Sequence, residues 1–234
     1  MTISRCGLIT RKEGMPQEEF QNYWLNVHGP IAANMKNLRK YEQHVVVDNQ
    51  HRHPLGAGPI VIDGYSELQF DSYGEMVEGV ASLNGAGAED ISLFASPRCP
   101  ILVFAKKVDT ELPQYLRNKK LIKRVSFLGR KPGVTAEQFK REWWYIHSMM
   151  VKAMPGYVGY SQNLVIDRII NGKSVSYEEL PVEGMVEFWF EDMDAFNECY
   201  NSSEFKRTSM HGAEFIGKIN TYLMETYPVE LPTA

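Results

Sequence analysis

Three cysteines in 234 residues, Cys6, Cys99 and Cys199, are too few and too scattered for a disulfide framework, and none forms a CxxC or CxxH unit. An odd count without a pairing pattern fits a reducing compartment. No stretch approaches ~20 uninterrupted apolar residues, so no membrane helix is expected. The start, MTISRCGLIT, lacks the charged opening and apolar run of a secretory leader. Together these predict a cytoplasmic protein. Neither charge dominates: the net charge is -4. That argues against a nucleic-acid partner bound by counterion release, and nothing suggests an anionic membrane partner. There is no G-x-S-x-G, no P-loop and no G-x-G-x-x-G after a strand, so nucleotide-dependent redox and phosphoryl transfer lose support. What remains is an ordinary globular composition, 44% hydrophobic and 23% charged, sufficient for a real core.

The chain repeats itself. A constant displacement brings Gly14 onto Gly133, Phe20 onto Phe139, Trp24 onto Trp143 and His28 onto His147. Tyr41 then meets Tyr160, Gln43 meets Gln162 and Asp48 meets Asp167. One residue more aligns Gly64 with Gly184, Glu67 with Glu187 and Phe70 with Phe190. A further residue aligns Phe94 with Phe215 and sets Asp90 opposite His211. Two diverged units are predicted, residues 1–108 and 121–234, joined by the polar, proline-bearing stretch 109–120 as linker.

Each unit has the order strand, helix, two strands, helical region, strand. ISRCGLITR and IKRVSFLGR are β-like. The first long helix is predicted over about 17–29 and 136–150. Pro16 opens it in one unit; Thr135 with Gln138 offers a capping box in the other. YEQHVVVD, GYSELQF and their counterparts read as strands. This is a βαββαβ, ferredoxin-like α+β unit. Its sheet carries helices on one face only, so the two sheets must pack face to face or close into a barrel. The longest irregular loops, near residues 49–59 and 168–184, both follow the second strand of their unit.

On a 3.6-residue wheel Phe20, Trp24, Val27, His28 and Ile31 share one stripe, as do Phe139, Trp143, Ile146, His147 and Met150. A histidine in an apolar stripe is either a satisfied core group or an acid–base poised near neutrality. Strand alternation puts Tyr41 and Gln43 on one face, with Glu42 and His44 on the other. His51-Arg52-His53 offers an HxH pair with Asp48 and Asp63 nearby, but the second unit has no such pair, and no metal is assigned. The three cysteines read as small hydrophobes.

The motif Gly14, Phe20, Trp24, His28-Gly29-Pro30, then Tyr41, resembles the EthD family of dimeric α+β barrel proteins. Gly133, Phe139, Trp143, His147 and Tyr160 repeat it without the Gly-Pro after the histidine. The resemblance implies two fused units forming one barrel, which leaves homodimerisation open. It also implies pockets between sheet and helices, no cofactor, and His28, Tyr41, His147 and Tyr160 as catalytic residues. Trp24, Phe70, Trp143 and His211 are expected around the substrate, with His44, His51 and His53 as candidates for a further pocket histidine. The function so implied is an isomerase or lyase acting on a small cyclic lactone, phenolic or polyketide-like molecule in aromatic catabolism. His28 would move the proton and Tyr41 would steady the oxyanion. A haem-dependent or cofactor-free monooxygenase, with His211 or His147 as axial ligand in the haem case, and a non-catalytic binding protein are the alternatives.

Overall fold

A computed structural model describes residues 2–117 and 119–232. Asn118, in the expected linker, and Met1, Thr233 and Ala234, in the expected units, lie outside the described residues.

The first half runs β1 (Thr2–Ile9), α1 (Gln17–Tyr23), a π turn (Trp24–His28), α2 (Gly29–Ala32), β2 (Lys40–Asp48), β3 (Gly64–Phe70), α3 (Tyr73–Ser82), α4 (Ala86–Phe94) and β4 (Ile101–Thr110). The second half runs β5 (Ile122–Arg130), α5 (Ala136–Lys140), a π turn (Arg141–His147), α6 (Ser148–Val151), β6 (Tyr157–Ile170), β7 (Lys173–Ser174), β8 (Gly184–Phe190), α7 (Met193–Asn201), α8 (Ser203–Phe215) and β9 (Ile216–Pro228). β4 takes in residues 109 and 110 of the expected linker, and a short 3-10 turn, Gln114–Leu116, buries Leu116.

The strand order is β4-β1-β3-β2-β9-β5-β8-β6, β6 returns to β4, and the two-residue β7 pairs only with the end of β6. Every neighbouring pair is antiparallel. Each unit therefore contributes a four-stranded ferredoxin-like sheet. At both seams the fourth strand of one unit pairs with the second strand of the other. Eight strands close the barrel, so neither sheet keeps an open edge. The helices lie outside, and the middle of each barrel strand is buried.

The two helices that open the units are not regular. Each contains one π turn, ending in His28 or His147. A π turn advances more than one α-turn's residues per revolution and frees a carbonyl. Gln43 Nε2 donates to Trp24 O at 2.8 Å, and Gln162 Nε2 donates to Trp143 O at the same distance. The repeated glutamines thus cap the repeated distortion. The extra residue also rotates the buried stripe. Val27 and Ile146 are exposed, and burial passes instead to Gly29, Ala32 and Ala33, or Ser148 and Val151. The 3.6-residue wheel fails at those positions because the helix abandons that period.

Trp24 and Trp143, each at most 1% exposed, pack their rings closely over the sheet. Gly64 and Gly184 permit it: a Cβ at either would stand 2.5 Å from the Trp24 or Trp143 ring. Gly14 and Gly133 turn the chain into the helix with φ +80° and +85°, a region other residues enter at a cost. Pro16 and the Thr135–Gln138 capping box start the helices as the sequence predicts.

The barrel interior is polar at its middle. Lys106 Nζ pairs with Glu67 at 2.6 Å and with Glu187 at 2.8 Å; Lys123 Nζ pairs with Glu187 at 2.6 Å. Burial pushes both carboxyls up, but the lysines outweigh it and hold them below the usual carboxylate range. The loops before β3 and β8 pack Ile60, Ile62, Leu180 and Val182 into the apolar part of the interior.

Candidate functional site

Between the second unit's sheet and helices is a cavity of about 60 Å³. Trp143 and His147 enter it from the opening helix, Tyr160 from β6, Arg124 from β5, and Phe205, Thr208 and Gly212 from α8. Its remaining wall is largely apolar, including Leu128, Val151, Val186 and Phe188. The first half completes it: His53 and Leu55, on the loop after β2, line the same space. The β2–β9 seam makes this crossover inevitable, because a loop leaving β2 emerges beside the other unit's last strand.

His147 Nδ1 lies 3.2 Å from His211 Nδ1, with the rings stacked at 22°. His211 Nε2 is 3.5 Å from Glu142 Oε2. We assign the protons from these contacts. His211 donates Nε2–H toward Glu142 and accepts at Nδ1. His147 donates Nδ1–H, which leaves its Nε2 lone pair as the available base. Burial, then the neighbouring His211, pushes the His147 imidazole down from 6.5 to about 3, so it is neutral at physiological pH. The Tyr160 hydroxyl is buried with no hydrogen-bond partner. Burial raises its pKa well above 10, so it stays a protonated donor.

The first half builds the same idea differently. His28 Nδ1 lies 2.7 Å from Asp90 Oδ2, and Tyr23 donates to Asp90 Oδ1 at 2.9 Å. Burial lowers the His28 pKa while Asp90 pulls it back up. Tyr41 is buried, its hydroxyl unpartnered, with a pKa raised by burial to about 12. In the register of the repeat, Ile91 stands where the second half has Gly212. It packs against a cluster containing Ile9, Phe20 and Trp24. α4 also begins later in the repeat than α8, so it has no counterpart to Phe205 over the space.

Of the residues singled out from sequence, His147, Tyr160, Trp143 and His53 line the cavity, and His211 reaches it through His147. In the first half His28 and Trp24 pack about Phe94 and Phe20, while Tyr41 lies in a separate cluster with Leu68 and Phe70. Three others lie elsewhere. His44 points into the barrel interior, 3.4 Å from Glu67 and stacked on Tyr65 at 4.3 Å. Closing the barrel makes the face opposite Tyr41 an interior, which removes His44 from either helix-side pocket. His51 is exposed and bonded to Leu55 O. Phe70 is core, packed with Tyr41, Leu68 and Met76. The HxH pair gathers no metal set, because Asp48 is taken by Arg52 at 2.6 Å and Asp63 by Arg11 at 3.3 Å. Glu42, His44 and Glu67 lie close enough to share an ion, but Lys106 and Lys123 already supply positive charge there. His211, expected as an axial ligand in the haem reading, turns Nδ1 to His147 and Nε2 to Glu142, so neither of its ring nitrogens is left for an iron.

Sequence reasoning gave no site role to Asp90, Tyr23, Glu142 or Arg124. The register that sets Asp90 opposite His211 is the signal that the first two pocket histidines have partners. Arg124 gave none, since a charged residue in a short strand reads as solvated.

Fold and site together define a fused α+β barrel with an imidazole on the helix side of each sheet and a cavity beside that of the second half. The EthD domain family model matches residues 12–98 and again residues 131–219, and the chain belongs to the EthD family. Comparison with curated proteins finds no match. Similar solved structures include a protein provisionally named a monooxygenase from Lactobacillus acidophilus NCFM, 14% identical over 100% of this chain and 98% of that one, with TM-score 0.55. An anthrone oxidase-like protein is 10% identical over 100% and 96%, with TM-score 0.64. A protein provisionally named a monooxygenase from Fusobacterium nucleatum is 8% identical over 100% and 96%, with TM-score 0.59. At these identities the shared property is the fold. Among the described residues no helix is long and apolar enough to cross a membrane.

Proposed function

We propose that the chain is a cofactor-independent isomerase or lyase for a small cyclic lactone, phenolic or polyketide-like substrate, with its working site in the second half. One observation carries this: a neutral imidazole, His147, and an unpartnered buried phenol, Tyr160, line one largely apolar cavity. In such a space His147 Nε2 takes a proton from carbon beside a carbonyl. Tyr160 donates to the carbonyl oxygen as charge builds there, and the dry wall strengthens that bond. The imidazolium is steadied through His211 by Glu142. Return of the proton to another atom isomerises the substrate; loss of a leaving group makes the step a lyase reaction.

The names of the similar structures favour a second reading, a cofactor-free monooxygenase, in which the carbanion formed by the same deprotonation meets dioxygen. One experiment separates these. Small cyclic β-keto acids, lactones and phenols are offered in D2O; deuterium uptake and products are followed by NMR, with an oxygen electrode alongside. The expected result is exchange and conversion without oxygen uptake, lowered ~10²–10⁴-fold in His147→Ala. Oxygen uptake that needs His147 moves the protein to the monooxygenases. Binding without exchange makes it a carrier. Unchanged turnover in a folded His147→Ala removes the histidine from the chemistry.

A further inference from the structure

We infer that Arg124 is an anion anchor and that the molecule bound in the second-half cavity carries a carboxylate. The inference rests on that cavity being the working site, and it names the substrate class.

Arg124 is 3% exposed and lines the cavity. Its Nη2 donates to Thr221 Oγ1 at 3.3 Å, its guanidinium sits 4.9 Å from the Tyr200 ring centre, and its Nε has no partner. None of the described carboxylates pairs with it. Lys123, buried to the same degree, is held by Glu187 at 2.6 Å. Arg168 and Arg130, less buried, both reach Glu183. Arg124 is thus a desolvated cation whose counterion the chain does not provide, whereas the buried Lys106 and Lys123 are both paired. Its first-half equivalent, Arg5, also has no ion pair among the described residues but does not line the cavity. Burying an ion unpaired is costly, so the arrangement is best satisfied when an anion arrives. A guanidinium fork matches a carboxylate through two parallel hydrogen bonds.

The neighbouring His53 suits that anion. Its Nδ1 accepts from Leu55 N at 3.1 Å, so the neutral ring carries its proton on Nε2 as a second donor. Burial, then Arg124, keeps this ring uncharged, with a pKa near 4. The cavity therefore has two functional groupings: Arg124 with His53 for the anion, and His147 with Tyr160 for the proton and the carbonyl. A carboxylate gripped by Arg124 is stabilised in the ground state and resists leaving as carbon dioxide. The grip favours isomerisation or dehydration of a cyclic acid over its decarboxylation.

Titration calorimetry and thermal shift with benzoate, salicylate and the matching amides test this without turnover. The wild-type protein should prefer each acid to its amide. Arg124→Met should weaken the acids ~10–100-fold and leave the amides unchanged. Arg124→Lys should fall between, and Arg5→Met, the same position in the first half, should change nothing. An acid–amide preference absent from the wild type, or surviving in Arg124→Met, overturns the inference. If Arg124→Met does not fold, the wild-type preference and the Lys variant decide. Should acids bind through Arg124 while His147→Ala loses no activity, the proton-transfer reading falls and the anchor stands.

Discussion

The two halves share a backbone plan and differ in what stands behind one imidazole. In the first, a carboxylate touches the ring directly: Asp90 on His28. In the second, His211 is inserted between His147 and Glu142. Both arrangements leave Nε2 as the free nitrogen, as an orienting group on Nδ1 does generally. The difference lies in the space beside it. Gly212 leaves room next to His147, whereas the corresponding Ile91 packs toward Phe20 and Trp24. On the proposed function, a duplicated site that keeps its hydrogen-bonded frame while one copy fills in divides into a working pocket and a supporting one. The crossing loop ties them, since His53 of the first half closes the cavity of the second.

The sharpest break of this comparison is chemical. His147→Ala should lower turnover of a true substrate ~10²–10⁴-fold. His28→Ala, assayed beside it, should cost less than about tenfold, because Ile91 packs toward that site where Gly212 leaves room in the other. Equal losses would make both halves active.

Next in size is a pair of core truncations meant to show where the halves are alike. Trp24→Ala and Trp143→Ala each empty a site roofed by the same sheet glycine, Gly64 or Gly184. Each should destabilise the fold by about 3–5 kcal/mol in urea or guanidinium titration. A difference of more than about 1.5 kcal/mol between them would show that the halves do not share one packing logic.

Much of this architecture is legible in the chain. Two βαββαβ orders and a helix whose sheet must be covered lead to the barrel, and the pairs Trp24/Trp143 and Gly64/Gly184 fall into register before any coordinates. The π turns are not legible, because a wheel assumes the period that they break; hence Val27 and Ile146 read as buried. His44 illustrates the other limit. Alternation puts it opposite Tyr41, but only closure of the barrel decides whether that face is pocket or interior. Arg124 stayed hidden because an arginine beside a lysine in IKRVSFLGR reads as solvated until the second layer is laid over it.

The halves should also part in their response to acid. His147 titrates near 3 in the folded protein and near 6.5 when unfolded. Between those values the unfolded chain binds the extra proton, so stability is complete above pH 6.5 and falls as pH drops. The slope is at most about 1.4 kcal/mol per pH unit. Urea titrations at pH 7 and pH 5 should therefore show the wild type losing up to ~2 kcal/mol more than His147→Phe. His28→Phe should recover less, because Asp90 opposes the lowering there. A wild-type loss matched by His147→Phe would mean that this imidazole is protonated when folded.

The smallest effect bears most directly on why one pocket is open. Gly212 lies inside α8, where glycine costs a helix about 0.5–1 kcal/mol relative to alanine. A Cβ there would meet His147 Cε1 at 3.4 Å and Ile216 Cδ1 at 3.6 Å, ordinary contacts that demand no shift of the backbone. Gly212→Ala should therefore stabilise the protein by about 0.5–1 kcal/mol, a rise of ~1–4 °C in Tm for a chain of this size. The methyl group would take its volume from the cavity, so the same variant should bind benzoate more weakly. A gain in stability joined to a loss in binding is what a glycine kept for a ligand predicts. If stability rises while binding is untouched, the opening beside His147 has another cause, and the contrast with Ile91 no longer explains which half works.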